Sequence, residues 1–358
     1  MKRRWKLVIA AGILLAIAAT PIVYIETACT DTPAGWAANA PYKPLQPGNA
    51  GNRPEARTWL TFPEWYIVYS ADSYGRYLAA GNRPSGYAYG SQIAGFWSGM
   101  CAVNRAAGTK EAGDAKLMLY TIGLSYSAEM AVKGFYEKIF GRIAEWIGGW
   151  NSANDRYTAQ TWQRYGTFMH ETPWYKFRFG EALSGLWKTG DSTHVYRNWE
   201  RRLGLSTEYV VKSGYASLIG YASDAALDGA QPTLPFIVRA TPQAVTAVDP
   251  RLKPTAVLPG GLVVIEAPRY QQFNDLLIAL SRTPIELVEI AGNDDVLVTL
   301  LVPDKYAAPA GTVPLIDQPL DDRPGWRRIG VAVKVPALLA LLRAAPASGA
   351  EIEHVYDY

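Results

Sequence analysis

Residues 262–302 read LVVIEAPRYQQFNDLLIALSRTPIELVEIAGNDDVLVTLLV, and the order of apolar runs in this stretch decides the fold class of the last hundred residues. Leu262–Ala267 is a short apolar run of the length and composition that predict a β-strand. After Pro268, apolar residues recur every three or four positions as far as residue 280, which predicts a helix. The stretch therefore predicts a mixed unit of strands and helices.

A hairpin is predicted directly after this helix. Ile285–Ile290 and Val296–Val302 are apolar runs of strand length, and Gly292-Asn293-Asp294-Asp295 lies between them. A short run of Gly, Asn and Asp between two apolar runs favours a tight turn that joins antiparallel neighbours.

The end of the chain adds a strand, a helix and a strand. Arg327–Lys334 predicts a strand, Pro336 suits the first turn of a Leu-rich helix, and Glu351–Tyr358 alternates apolar and charged residues. Taken over residues 261–358, this order resembles a ferredoxin-like αβ sandwich with one extra strand. The resemblance rests on element order, and that fold hosts many unrelated activities, so it implies no function.

A mainly helical, aromatic-rich domain is predicted for residues 57–230. The strongest helical pattern runs from Ala115 to Trp146, where Glu129, Lys133 and Glu137 form a four-spaced ionic row. These charges argue against a second membrane span. The same helix carries an apolar stripe, for which core packing is the favoured reading and contact with a membrane surface the alternative. The stripe consists of Phe135, Ile139, Ile143, Trp146 and Ile147.

The first 25 residues predict a membrane anchor. Leu7–Ile25 is an uncharged, mostly apolar run of 19 residues. As a helix it would extend about 28 Å, close to the thickness of a bilayer's hydrocarbon core. Basic residues precede the run, which predicts a cytoplasmic N-terminus and an extracytoplasmic body. They are Lys2, Arg3, Arg4 and Lys6.

Two other readings of this start remain open. Ala16-Ile17-Ala18 fits the small-x-small cleavage site of a secretory signal, although apolar residues continue beyond it. Cys29 is the second reading, as the modified cysteine of a lipoprotein. Glu26 disfavours it, because the residues before such a cysteine are small and apolar. Cys29 and Cys101 are the two cysteines of the chain, and they either pair in an oxidising compartment or remain separate thiols.

The predicted class is therefore α+β, with an N-terminal transmembrane helix, a helical middle domain and a C-terminal ferredoxin-like sandwich. The predicted order is an anchor at 1–25, a Pro/Gly-rich linker at 26–56, the helical domain at 57–230, a Pro-rich linker at 231–260 and the αβ domain at 261–358. We place a single strand, Phe236–Ala240, inside the second linker.

Composition and motifs exclude several functional classes. A net charge of +3, with no basic run beyond the N-terminus, disfavours nucleic acid as a partner. The three histidines lack metal-ligand spacing, and the chain has no nucleophile elbow, phosphate loop or dinucleotide fingerprint. We therefore expect no protein-built metal site and no cofactor.

Three clusters remain as candidates for chemistry. Glu64 lies within Phe62-Pro63-Glu64-Trp65-Tyr66, and His170 with Glu171 begins a segment that contains Trp174, Tyr175 and Lys176. Carboxylates framed by Trp and Tyr are typical of glycan sites, in which one carboxyl acts as an acid. The third cluster is Glu200-Arg201-Arg202 with Glu208. Each cluster also has a structural reading as a helix start or an ion pair.

The leading functional hypothesis is a single-pass envelope protein that binds a partner or ligand without catalysis. The bilayer would be contacted through residues 7–25, and a membrane protein is a possible further partner. The alternative is a membrane-tethered hydrolase of envelope glycan or lipid, with Glu64, His170 and Glu171 as acid/base groups. A third idea, a lipid carrier, requires a deep apolar cavity in the helical domain.

Overall fold

The computed structural model of the chain describes residues 2–34, 42–52, 59–107, 113–226 and 233–356. Helices dominate the first two thirds of these residues, and two antiparallel four-stranded sheets occupy the last third. The predicted α+β class is thus confirmed.

Eight α-helices precede the sheets in the described residues: α1 Lys2–Ala28, α2 Phe62–Ala79, α3 Tyr89–Ala107, α4 Gly113–Tyr136, α5 Arg142–Gly148, α6 Ala153–Met169, α7 Phe179–Lys188 and α8 Val195–Ala226. One π-helical turn, Glu137–Gly141, joins α4 to α5. The long helix predicted from Ala115 to Trp146 is therefore confirmed, with a π-bulge inside it of the kind that often marks functional sites.

Aromatic side chains build the core of the helical part. Tyr74 of α2 contacts Trp162 of α6 edge-on at 5.0 Å between ring centroids, and Tyr87 packs against Tyr74 at 4.8 Å. Offset and edge-on ring pairs of this kind add about 0.5–1.5 kcal/mol each to the free energy of area burial. Many of the Tyr side chains among the described residues are therefore accounted for by this core.

The sheet part begins earlier than the sequence predicted. The strands are β1 Thr233–Arg239, β2 Lys253–Leu258, β3 Leu262–Pro268, β4 Glu286–Ile290, β5 Asp295–Pro303, β6 Val313–Pro319, β7 Trp326–Lys334 and β8 Glu351–Val355, and the helices are α9 Pro242–Val248, α10 Gln271–Leu280 and α11 Val335–Ala344. The stretch expected to be a Pro-rich linker at 231–260 contains β1, α9 and β2.

The strand orders correct two expectations. The first sheet has the order β2-β3-β1-β4 and the second has β6-β7-β5-β8, so the αβ region holds two sheets instead of one ferredoxin-like sheet over 261–358. The β-α-β-β-α-β element order does occur, but it starts at Thr233 and ends at Ile290. The predicted hairpin is wrong, because β4 pairs with β1 whereas β5 pairs with β7 and β8.

The two sheets repeat one topology and share one core. In each sheet the third strand leads into a helix and the fourth strand lies beside the first. Helices α10 and α11 pack together, and buried side chains of both sheets form a single apolar cluster. The turn at Ala291 and Gly292, both with positive φ, carries the chain from one sheet to the other.

The N-terminal segment forms α1. Among the described residues, no helix has both the length and the apolarity needed to cross a bilayer. The predicted transmembrane helix at 7–25 is therefore not supported, and the side chains of Leu7, Ala10, Ala11 and Leu14 lie outside the described part. Residues 35–41 and 53–56 of the predicted first linker, and residues 357–358 of the predicted last strand, also lie outside it.

Covalent and polar links join the parts of the chain. Cys29, just after α1, forms a disulfide with Cys101 of α3, with 5.2 Å between the Cα atoms. Gln318 of β6 donates a hydrogen bond to the Gly95 carbonyl of α3 at 2.7 Å. Helix α3 is thus tied both to the N-terminal helix and to the second sheet.

Candidate functional site

A cavity of about 410 Å³ lies where the helical part meets the first sheet. Two of the predicted site residues, Glu64 and Glu171, line it together. Aromatic and apolar side chains form most of the remaining wall. These are Trp65, Ile67, Val68, Ile122, Met169, Pro173, Trp174 and Tyr270, and Thr61, Thr172 and Arg269 complete the lining.

Helix α2 supplies one wall through its first two turns. Pro63 occupies the first turn, where its missing N–H removes no helical hydrogen bond. Glu64 lies in the same turn, where a helix favours negative charge. Because Glu64 and Val68 are four residues apart, both point to one side of the helix and into the cavity.

The opposite wall is built from a turn of the helical part and the end of β3. The segment after α6 carries Glu171 and Trp174, and its His170 carbonyl accepts a backbone hydrogen bond from Gln271 at 3.4 Å. Tyr270 has φ +64°, which is uncommon for a bulky residue and costs about 1–3 kcal/mol. This strained backbone turns the Tyr270 ring toward Trp65, at 6.4 Å between centroids.

Electrostatics make Glu64 a proton-exchanging group at neutral pH. Burial raises the pKa of the Glu64 carboxyl from 4.5 to about 7, and the positive charge of Arg269 offsets this only in part. At pH 7 the carboxyl is consequently close to half protonated, so that it donates a hydrogen bond in one form and accepts in the other. Glu171, by contrast, lies exposed at the rim.

His170 lies behind the cavity instead of lining it. Its Nε2 and Asp72 Oδ2 form an ion pair at 2.6 Å, and its ring packs on Trp65 with 5.9 Å between centroids. Burial lowers the pKa of His170, but the hydrogen bond and charge of Asp72 outweigh burial, so the pKa lies above 6.5. His170 therefore helps to hold Trp65 and α2 in place through its contact with the Trp65 ring and its bond to Asp72.

A second imidazole supports Trp65 from the sheet side. The His354 ring lies 3.7 Å from the Trp65 ring, centroid to centroid. Asn274 accepts from the Val355 N–H through Oδ1, which orients its Nδ2 to donate to His354 Nδ1 at 2.6 Å. Burial, with the charge of His170, holds the pKa of His354 well below 6.5. Trp65 is thus held between two imidazoles, one whose pKa is raised and one whose pKa is lowered.

The third predicted cluster has a structural role. The Arg201 guanidinium binds Glu137 of the π turn at 2.8 Å and Glu200 at 2.6 Å, and all three side chains are largely buried. Arg202 donates to the Thr189 carbonyl at 2.6 Å. The ion-pair reading of this cluster fits the geometry, and the cluster lies outside the cavity.

Four residues of the site were not found from the sequence. Asp72, Arg269, Asn274 and His354 come from three distant segments, and no local pattern singles them out. The one local signal was the alternation in the last strand, which placed His354 with Tyr356 on one face. Both side chains are buried.

The described residues contain no group of three or more His, Cys, Asp or Glu side chains arranged to hold a metal ion. Comparisons of the chain with family models, with curated proteins and with solved structures gave no match. Function is therefore argued from the cavity and its surroundings.

Proposed function

We propose that this protein is a membrane-held envelope protein that binds an envelope glycan in the cavity beside Glu64, without catalysis. The observation that carries the proposal is the composition of the cavity wall. It combines two carboxylates, Glu64 and Glu171, with the rings of Trp65, Trp174 and Tyr270.

The disulfide between Cys29 and Cys101 supports the extracytoplasmic location. Disulfides persist in oxidising compartments and are rare where thiols are kept reduced. Helix α1 supports the membrane attachment, because apolar side chains along it, such as Val8 and Ile17, are exposed by 70% and 64%. We therefore assign residues 7–25 as the anchor and the remainder as the extracytoplasmic body.

The cavity wall favours a saccharide over other ligands. Flat aromatic faces pack on the apolar faces of sugar rings, while carboxylates accept hydrogen bonds from sugar hydroxyls. The cavity is also of ordinary size for a small-ligand site, at about 410 Å³. A deep apolar tunnel for an acyl chain would lack such a share of ionisable side chains, so the lipid-carrier alternative is less favoured.

Calorimetric titration of the full chain in detergent with chito-oligosaccharide, an amino-sugar probe, tests this proposal. Trp174→Ala removes an aromatic wall and should weaken binding about tenfold, the equivalent of roughly 1.4 kcal/mol. Trp187→Ala is the matched control, because Trp187 is half-exposed and lies outside the cavity. The proposal fails if no oligosaccharide binds, or if both variants bind as the wild type does.

The pKa of Glu64 favours hydrolysis as a second candidate function. A carboxyl with a pKa of about 7, sharing a cavity with a second carboxylate, has the property required of a general acid in glycosidases. In this reading Glu64 would protonate the leaving oxygen, and Glu171 would act as base or nucleophile. Activity would fall as the pH rises through 7, because the acid must be protonated.

Product analysis separates the two functions. If the wild type releases shorter oligosaccharides, and Glu64→Gln reduces that rate at least a hundredfold while binding persists, the protein is a hydrolase. If the wild type binds the probe and releases no product, binding is its function. Glu181→Gln serves as the control, because Glu181 is an exposed carboxylate outside the cavity.

A further inference from the structure

Helix α8 has its charges inside and its apolar residues outside. Six charged residues lie between Val195 and Tyr221, and none of the six is exposed. The exposed positions of this stretch are uncharged, and most are large and apolar. The latter are Val195, Tyr196, Trp199, Leu203, Val210, Val211, Tyr215, Leu218 and Tyr221, exposed by 41–79%.

Helices α4 and α5, with the π turn between them, show the same inversion. Their exposed large side chains are Leu117, Met118, Val132, Phe135, Ile139, Phe140, Ile143, Trp146 and Ile147. The exposed charged residues from Lys116 to Gly148 are both basic, Lys138 and Arg142. We call the exposed apolar side chains of α4, the π turn, α5 and α8 the outer face.

Ion pairs between α4 and α8 account for the inverted polarity. Glu129 binds Lys212 at 2.7 Å, Lys133 binds Glu208 at 3.0 Å, and Glu137 binds Arg201 at 2.8 Å. The partners run in opposite directions along the chain, so the helices are antiparallel with a ladder of charge between them. This ladder holds the charged sides inward and leaves the apolar sides of both helices largely exposed in the described residues.

The outer face is large for a surface that meets water. The large side chains of the outer face have a surface of about 200 Å² each and are roughly half-exposed. Together they present an exposed, mainly apolar area on the order of 2,000 Å². The largest apolar patches on monomeric soluble proteins reach a few hundred Å². We therefore expect a surface of this extent to be covered by another molecule.

Three exposed Ser and Thr hydroxyls of α4 and α8 donate to carbonyls of their own helices. Thr121, Thr207 and Ser217 donate to the carbonyls of Leu117, Leu203 and Ser213 at 2.9–3.2 Å. A protein interface of standard size makes about ten hydrogen bonds across it, and hydroxyls satisfied in this way contribute no donors. Hydrocarbon, in contrast, requires polar groups to be satisfied within their own helix.

We propose that the outer face lies against the acyl chains of the bilayer, as a lipid contact additional to residues 7–25. The exposed Lys138 and Arg142 would meet anionic headgroups. Helix α1 is joined directly to α4, because Glu26 pairs with Lys116 at 3.4 Å and accepts from Tyr120. The face is thus attached beside the proposed anchor, and the inference rests on the membrane location proposed above.

Spin labels on the full chain test the inference. The two native cysteines form the disulfide, so an introduced cysteine is the reactive thiol. Phe135→Cys and Leu203→Cys place a nitroxide on the outer face, at positions exposed by 61% each. Val257→Cys, exposed by 68% on β2, is the control for water, and Ile13→Cys reports on the anchor.

The proteins are reconstituted in vesicles of phosphatidylethanolamine and phosphatidylglycerol, and collision rates with oxygen and with a water-soluble nickel chelate are measured. The inference predicts an oxygen-to-nickel ratio at positions 135 and 203 that is several-fold higher than at 257. A ratio equal to that at 257 would mean that the face is open to water. Low rates with both reagents would mean that a second copy or another protein covers it. Either result overturns the inference.

The label at position 13 separates the two proposals. If the label at 13 contacts lipid and the labels at 135 and 203 contact water, the anchor is retained and the outer-face inference is rejected. If the labels at 135 and 203 contact lipid and the label at 13 contacts water, the outer-face inference is retained and the anchor is rejected. If a labelled variant loses its circular dichroism spectrum, Val132→Cys and Val211→Cys replace the first pair, because both side chains are exposed by more than 60%.

Discussion

Replacement of Glu64 by Gln should change how the stability of the protein depends on pH. Burial raises the pKa of this carboxyl from 4.5 to about 7. The folded state therefore binds the proton more tightly than the unfolded state does. Between pH 4.5 and 7 the wild type should lose stability as the unfolded chain ionises first. Above pH 7 both states are ionised and the loss is complete.

The size of this effect follows from the two pKa values. A carboxyl whose pKa is 4.5 unfolded and about 7 folded reduces the free energy of unfolding by about 3 kcal/mol at pH 8 relative to pH 4. Gln has nearly the same shape as a protonated Glu and does not titrate. The variant should therefore become more stable than the wild type as the pH rises, by up to that amount.

Urea denaturation followed by circular dichroism at several pH values between 4 and 8 measures the difference. Other carboxylates titrate in both proteins, so their contributions cancel when the two curves are subtracted. Glu171→Gln is the control, because Glu171 is an exposed carboxylate that lines the same cavity. A difference between Glu64→Gln and the wild type that stays constant over this range would refute the reasoning.

Two further predictions concern the helical part. Replacing Cys29 and Cys101 with Ser opens a link between residues 72 positions apart and should lower the free energy of unfolding by about 4 kcal/mol, measured in urea against the oxidised wild type. An unchanged midpoint would contradict it. Lys133→Met removes the nearer of the two lysines that pair with the largely buried Glu208 and should cost about 3 kcal/mol, whereas Arg178→Met in an exposed pair should cost under about 1 kcal/mol. Equal costs would show that burial of the pair does not matter.

Local pattern predicted the elements better than it predicted their partners. The periodicity from Ala115 to Trp146 predicted the long helix, and alternation in the last strand placed His354 and Tyr356 on one face. The hairpin after Ile290 failed because a turn signal is local, whereas pairing depends on β1 and β7, which lie far away in sequence. The strand β6 has no clear signal in the sequence, because two prolines interrupt this edge strand.

The outer face was misassigned for a physical reason. An apolar stripe on a helix ordinarily marks the side that packs on the core. In this protein Phe135, Ile143 and Trp146 are exposed by 61%, 50% and 86%. Glu129, Lys133 and Glu137, which the sequence predicts as an ionic row along one helix, pair with residues of α8 instead. A sequence reveals which residues share a face, but it does not reveal which face turns inward.

The site was found in part. Glu64 and Glu171 were recognised because aromatic residues surround each of them in sequence, and both line one cavity. His170 was grouped with them by adjacency, yet its partner Asp72 is 98 residues away and draws it behind Trp65. Arg269 gave no local signal.

The most direct test of the account is the titration of Glu64 by carbon-13 NMR, in the free protein and in the presence of chito-oligosaccharide. The account predicts a carboxyl pKa near 7 in the free protein, and a lower pKa when the hydroxyls of the bound sugar donate hydrogen bonds to the carboxylate. A pKa near 4.5 that does not respond to the oligosaccharide would contradict both the buried carboxyl and the ligand site.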